Sequence, residues 1–139
     1  IHYCLPFVEF IDNETFNYIR KVGSLDEKLT DSDLFLLCGP QPVIDNVPST
    51  PHFVYGLPTD AMRTAGVILH SFKYANDAFA GLKKAIKIGG DVDSSAAIVT
   101  GILAGRYGLD SLPDFMIDKL ERKDYLENIA EQFKEFVEN

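Results

Sequence analysis

Cysteine and histidine are both scarce in this chain of 139 residues, which contains two cysteines and three histidines. Neither Cys4 nor Cys38 lies in a Cys-x-x-Cys pair or in a zinc-like spacing, and the three histidines are scattered. Zinc hydrolase chemistry therefore has little support from these residues. We expect the cysteines to be two free thiols of a cytoplasmic protein rather than a disulfide.

The chain also lacks an apolar run of transmembrane length and any cluster of basic residues. Thirteen lysines and arginines stand against 21 aspartates and glutamates, which gives a formal net charge of −8. An acidic chain without a basic patch argues against nucleic-acid binding, and the missing apolar run argues against a membrane span. Because 46% of the residues are hydrophobic, a mainly disordered segment is excluded as well.

Strand-like alternation is missing too, whereas apolar residues recur at helical spacing through most of the chain. Capping residues and glycines predict helices that begin near residues 13, 31, 61, 77, 92, 113 and 124. Five of the seven prolines fall within residues 39–58, which we expect to form a long ordered loop. The sequence therefore predicts an all-α fold.

The residues best suited to chemistry are concentrated at positions 89–95, which read Gly-Gly-Asp-Val-Asp-Ser-Ser. The two glycines are placed to end the preceding helix and to turn the backbone sharply. If Asp91 lies near the N-cap of the next helix, Asp93 and Ser94 fall in its first turn. Three oxygen-bearing side chains can then gather around one helix terminus.

Oxygen ligands of this kind suit a hard cation. Mg²⁺, Mn²⁺ and Ca²⁺ prefer oxygen ligands, and Mg²⁺ usually takes one or two carboxylates and keeps several waters. Aspartate and serine are also the ordinary N-capping residues, and acids near a helix N-terminus complement its dipole. From the residues alone, a cation site and simple helix capping both remain open.

The helix that follows carries two neighbouring stripes of small residues at a spacing of four. One stripe is Ala96, Thr100 and Ala104, and the other is Ala97, Gly101 and Gly105. Larger apolar residues fill the remaining positions, so that other helices can approach the backbone closely. This pattern predicts a central, buried helix.

These features resemble the C-terminal part of the ADP-ribosylglycohydrolase family. In that family a Gly-Gly-Asp-x-Asp-Ser/Thr signature opens a buried helix, a Tyr-Gly pair ends it, and an Ile/Leu-Pro pair begins the next. This chain has Tyr-Gly at 107–108 and Leu-Pro at 112–113, and the resemblance runs over residues 61–137. Val92 and Ser94 stand where threonine is commoner, a variant that resembles the J1-crystallin-like branch.

The resemblance implies a compact helical fold that holds two Mg²⁺ ions, with Mn²⁺ as the alternative, between two carboxylate clusters. Asp91, Asp93 and Ser94 would be the metal ligands of the second cluster, and Asp93 would bridge both ions. The family's N-terminal Thr-Asp-Asp cluster has no counterpart in this sequence. Residues 1–139 are therefore expected to be the C-terminal half of a single domain, and the proton-transfer residue is expected in the other half.

The activity implied is Mg²⁺-dependent hydrolysis of the glycosidic bond between ADP-ribose and a protein side chain or small molecule. By position, Tyr55, Gly56 and Leu57 would contribute to the adenine pocket, although core packing explains Tyr55 equally well. The implied partners are ADP-ribose or an ADP-ribosylated substrate, together with the N-terminal half of the fold or a second copy of this chain. The alternative is a non-catalytic, crystallin-like member or an inactive fragment, in which the acidic cluster only caps a helix.

Overall fold

A computed structural model describes residues 12–40 and 60–138 of the chain. These residues form seven α-helices and no strand, which confirms the predicted all-α class. The helices are α1 (Asn13–Ser24), α2 (Asp31–Cys38), α3 (Ala61–Tyr74), α4 (Ala78–Ile88), α5 (Val92–Tyr107), α6 (Asp114–Asp118) and α7 (Lys123–Glu138). None of these helices is both long and apolar enough to cross a membrane.

Four helices begin at a side chain that accepts a backbone N–H of the first turn. These N-cap residues are Asp12 before α1, Thr30 before α2, Asp60 before α3 and Asp77 before α4. Thr30 and Asp33 also bond each other's backbone amides in a reciprocal capping box. Each such cap contributes about 1 kcal/mol to helix stability, and the predicted starts of these helices are confirmed.

The start of the last helix differs from the prediction. The pair Asp124 and Glu127 predicts that Asp124 caps this helix, but α7 already begins at Lys123, and Asp124 lies in its first turn. Arg122, just before the helix, has a positive φ of 57°. The chain turns at Arg122, so the helix starts earlier than the capping pattern indicates.

The helix α3 is the centre of the described fold, because it packs against α1, α2, α4 and α5. Val67 and His70 are each 1% exposed within it. The backbone of Gly66 lies against the ring and hydroxyl of Tyr18 in α1, so closely that a Cβ at this position would overlap the Tyr18 side chain. A glycine here allows α1 and α3 to approach each other.

The helix α5 is buried on only one side, so the prediction of a central helix over this segment is wrong for the described residues. It packs against α3 and α4. Its buried residues are Ser95, Ala96, Val99 and Leu103. Ile98 and Ile102 are 44% and 54% exposed. Apolar residues all round a helix indicate that it can be buried, but the packed neighbours decide which sides are buried.

The loop between α1 and α2 is held by side chains from α3 and α4. Lys73 donates hydrogen bonds to the carbonyls of Gly23 and Leu25, both at 2.8 Å, and the Tyr74 hydroxyl donates to the Leu25 carbonyl at 2.7 Å. The Lys84 ammonium contacts the Glu27 carboxylate at 2.6 Å. These contacts satisfy loop carbonyls that no helix or strand pairs.

His70 belongs to the same set of contacts, and we expect it to make stability depend on pH. Its Nε2 donates to the Asp26 carbonyl at 2.9 Å. Burial lowers the pKa of His70 below its usual 6.5, although the bond to Asp26 acts in the opposite direction. The unfolded chain then binds a proton at this histidine more readily than the folded protein does. The contribution of neutral His70 to the free energy of unfolding is therefore complete above the unfolded pKa and is lost as pH falls through the folded pKa.

The measurement is the free energy of urea unfolding between about pH 7 and about pH 5, for the native protein and for His70→Gln. The decline in stability toward low pH should be shallower in His70→Gln, while His2 and His52 remain in both proteins as internal controls. Equal slopes in the two proteins would show that His70 does not carry this dependence.

Candidate functional site

The turn between α4 and α5 depends on two glycines. Gly89 has φ 97° and ψ −153°, and Gly90 has φ 78°. Side chains with a Cβ rarely adopt either conformation. The Gly89 amide closes α4 by donating to the Ala85 carbonyl at 3.3 Å. The predicted glycine break before the acidic segment is confirmed.

Cys38, at the end of α2, supports this turn. Its buried thiol donates a hydrogen bond to the Ile88 carbonyl, with 3.5 Å between Sγ and the oxygen. A Cβ built on Gly90 would lie 3.5 Å from the same sulfur. Burial raises the pKa of Cys38 to about 11, so that the thiol stays protonated and acts as a donor rather than a nucleophile. Cys38 is a free thiol as predicted, and Cys4 lies outside the described residues.

Asp91 occupies the N-cap position of α5, but its side chain makes no capping hydrogen bond. Asp12, Asp60 and Asp77 occupy the same position in other helices, and each accepts at least one backbone N–H. The Asp91 carboxyl lies close enough to that of Asp93 to influence its pKa. The side chain of Asp91 is therefore not used for capping and lies near Asp93.

The pKa of Asp93 lies below its usual range. The interaction with the Asp91 side chain lowers it most, followed by the backbone N–H groups of Ser94 and of Asp93 itself. Two ionised carboxylates close together repel each other, and a divalent cation bound between them would stabilise both charges. Asp93 is exposed and Asp91 is half-buried, so the pair is open to solvent.

The donor set from this chain is small. Across residues 12–40 and 60–138, no three histidine, cysteine, aspartate or glutamate side chains are placed to hold one ion together. The acidic pair, Asp91 and Asp93, is followed by the half-buried Ser94, whose hydroxyl is a third oxygen in the first turn of α5. Mg²⁺ is commonly bound by one or two carboxylates, with water or substrate oxygens as the other ligands. The acidic pair fits that pattern.

The candidate substrate residues Tyr55, Gly56 and Leu57 lie outside the described residues. Sequence reasoning missed Cys38 as the support of the acidic turn. Its hydrogen bond joins positions that are 50 residues apart. A single cysteine at a helix end carries no local signal of such a contact, so only the packing of α2 against the turn reveals it.

Comparison with known proteins gives one match. The family model described as ADP-ribosylglycohydrolase matches residues 7–139, which include the glycine turn, the acidic pair and all seven helices. No curated protein and no solved structure matched the chain. The matched region covers nearly the whole chain, and its described part is all-α. The chain belongs to the ADP-ribosylglycohydrolase family.

Proposed function

We propose that the protein is a Mg²⁺-dependent hydrolase that releases ADP-ribose from protein side chains or small molecules. Membership in a glycohydrolase family supports hydrolysis at the level of reaction class. The observation that carries the metal assignment is the Asp91 side chain, which occupies an N-cap position without capping the helix and lies near Asp93 of the first turn. Asp91, Asp93 and Ser94 are the proposed ligands of two Mg²⁺ ions, with Mn²⁺ as the alternative metal.

The chemistry of such a site follows from charge and orientation. When bound, Mg²⁺ supplies Lewis-acid binding of ribose hydroxyls and of a water molecule. The carboxylates of Asp91 and Asp93 neutralise the cation and hold it at the start of α5. The glycine turn and the Cys38 thiol keep the two carboxylates in place. Because all three oxygen donors are assigned to the metal, we assign proton transfer to a residue in another part of the fold.

The substrate assignment extends to the segment before α3. We propose that Tyr55, Gly56 and Leu57 line the adenine pocket, since an aromatic ring can stack on a purine and a glycine admits close backbone approach. Asp60, which caps α3, is three residues after Leu57 in the sequence. The linkage that is cleaved is set by the leaving group, which these residues would not contact.

We also propose that residues 1–139 form one part of a single domain and that another part of the fold, or a second copy, covers α5 and α7. Most of the exposed large apolar residues lie on these two helices and on the segment that joins them: Ile98, Ile102, Tyr107, Leu109, Phe115, Leu120, Tyr125, Leu126, Ile129, Phe133, Phe136 and Val137. No residue of α7 is buried. Apolar surface of this extent marks an interaction site or a covered face.

The substitution Gly101→Ala tests whether the exposed side of α5 is covered in the complete protein. No described atom lies within 4 Å of a Cβ built on Gly101. In an open helix, Gly101→Ala would stabilise the protein by about 0.5–1 kcal/mol. Because we propose that another part of the fold packs here, we expect Gly101→Ala to destabilise the complete protein by about 1–3 kcal/mol instead.

The measurement is urea unfolding of the complete protein, with Gly81→Ala as the matched control. Gly81 is buried against Val99 and Leu103 within the described helices, so Gly81→Ala should destabilise in either case. Stabilisation by Gly101→Ala would show that the small-residue face of α5 is open to solvent.

A non-catalytic, crystallin-like role is the second candidate, and Val92 and Ser94, which stand where threonine is commoner in the family, favour it. The test compares thermal unfolding of the complete protein with and without Mg²⁺ and assays release of ADP-ribose from a modified protein. A raised Tm with Mg²⁺ together with ADP-ribose release supports the hydrolase, since a ligand that binds the native state stabilises it. An unchanged Tm without release supports the structural role.

We place the protein in the cytoplasm, in line with the free thiol of Cys38.

A further inference from the structure

We propose that a cavity beside α4 binds a multivalent oxyanion such as pyrophosphate, at a site separate from the acidic pair. The cavity has a volume of about 750 Å³ and lies between the α1–α2 loop, α2, α3 and α4. Small-molecule sites commonly have volumes of about 300–1,000 Å³. Neither Asp91 nor Asp93 lines it.

The charge around this cavity is opposite to that of the whole protein. Lys28, Lys83, Lys84 and Lys87 line it, and Glu27 is the one acid among the described residues of its lining. The complete chain carries a formal net charge of −8. A concave, locally positive site in an acidic protein attracts a small anion, because the cavity walls reduce the screening of the ammonium groups by solvent.

Two of the four lysines are held in place by other side chains. The Lys84 ammonium contacts Glu27 at 2.6 Å and lies 5.2 Å from the centre of the Tyr74 ring. The Lys83 ammonium lies 4.4 Å from the centre of the Phe79 ring. Each ammonium has three N–H donors, so that both keep donors for a ligand after these contacts. Binding then costs less side-chain entropy than it would with freely moving lysines.

His70 forms part of the inner wall of this cavity and is 1% exposed. Its ring is fixed there by the hydrogen bond from Nε2 to the Asp26 carbonyl. The Nδ1 atom is shielded from solvent, so the lysine ammonium groups are the donors that an oxyanion would contact.

The test is calorimetric titration of the complete protein with pyrophosphate, inorganic phosphate and citrate, without Mg²⁺. We expect pyrophosphate or citrate to bind more tightly than inorganic phosphate. Tighter binding of pyrophosphate would identify the natural ligand as a phosphate compound. Tighter binding of citrate would identify it as a polycarboxylate. The double variant Lys83→Gln with Lys87→Gln should weaken binding by about tenfold or more, since each lost charged contact costs a large part of the affinity. The control, Lys119→Gln with Lys134→Gln, makes the same change in net charge elsewhere and should weaken binding by less than about twofold.

The same titration in Asp93→Ala separates this proposal from the proposed hydrolase function. Binding that persists in Asp93→Ala supports a separate site, whether or not that variant still releases ADP-ribose. The proposal is overturned if the native protein binds none of the three anions. It is also overturned if the two double variants lose affinity equally, because the effect would then come from net charge alone.

Discussion

Asp93→Ala is expected to abolish the increase in Tm that Mg²⁺ gives the complete protein and to slow ADP-ribose release by about 100-fold or more. Asp93 is half of the carboxylate pair, and it lies in the first turn of α5, next to an N-cap aspartate that makes no capping bond. Removing one carboxylate leaves a single charged ligand from this chain. A cation that needs two carboxylates then loses both affinity and position.

The control for Asp93→Ala is Asp114→Ala. Asp114 is exposed and lies in the first turn of α6, so its replacement removes the same charge from an equivalent helical position. It should leave both the Mg²⁺-dependent Tm and the release of ADP-ribose unchanged. If Asp93→Ala and Asp114→Ala behave alike, the acidic pair has no special role in metal binding.

A second comparison separates metal binding from helix capping. Asp77 caps α4 by accepting the Ala80 amide hydrogen at 2.6 Å, so Asp77→Ala should lower stability without Mg²⁺ by about 1 kcal/mol. Asp91 makes no such bond, so we expect Asp91→Ala to change metal-free stability by less than about 0.5 kcal/mol. With Mg²⁺ present, Asp91→Ala should lower stability more than Asp77→Ala does, because only Asp91→Ala removes a proposed ligand.

Leu103→Ala is expected to lower the free energy of unfolding by about 2–5 kcal/mol. Leu103 is 3% exposed and packs from α5 onto α4, where Gly81 leaves room for its side chain. The shortened side chain loses this burial and leaves a cavity at the contact between α4 and α5. Urea unfolding at constant pH measures the loss, and Ile86→Ala on the exposed side of α4 is the matched control.

A double-mutant cycle tests the cause. A Cβ on Gly81 would overlap the Leu103 side chain and would lie 2.8 Å from Cγ1 of Val99. Gly81→Ala should therefore destabilise the native protein, and it should do less harm in the Leu103→Ala background, where most of the overlap has gone. The expected coupling is about 0.5–3 kcal/mol. Additive effects would show that Gly81 and Leu103 do not share this space.

The helices and their starts could largely be predicted from the sequence. Asp12, Thr30 and Asp77 cap helices where the pattern indicates, and Gly89 ends α4 at the predicted position. These signals are local, because a cap bonds an amide two or three residues away and a glycine ends a helix through its own backbone conformation. The signal is weaker for α7, where the turn at Arg122 starts the helix before the capping pattern does.

The side-chain arrangement at the candidate site could not be predicted in the same way. The residues 91–94 allow either capping or ion binding, and both interpretations place Asp91 at the helix start. Only the structure shows that the Asp91 side chain makes no capping hydrogen bond. The turn before this helix is held by Cys38, through a bond that spans 50 residues.

By itself, the sequence determined the all-α class, most helix boundaries, the glycine turn and the family, since each depends on residues close together along the chain or on a continuous pattern. The tertiary structure decided that α3 rather than α5 is central, and that α5 and α7 keep exposed apolar sides. It also brought Lys28 of the first loop beside the lysines of α4. Burial and electrostatic environment are properties of neighbours distant in the chain, and these are defined only when the helices pack.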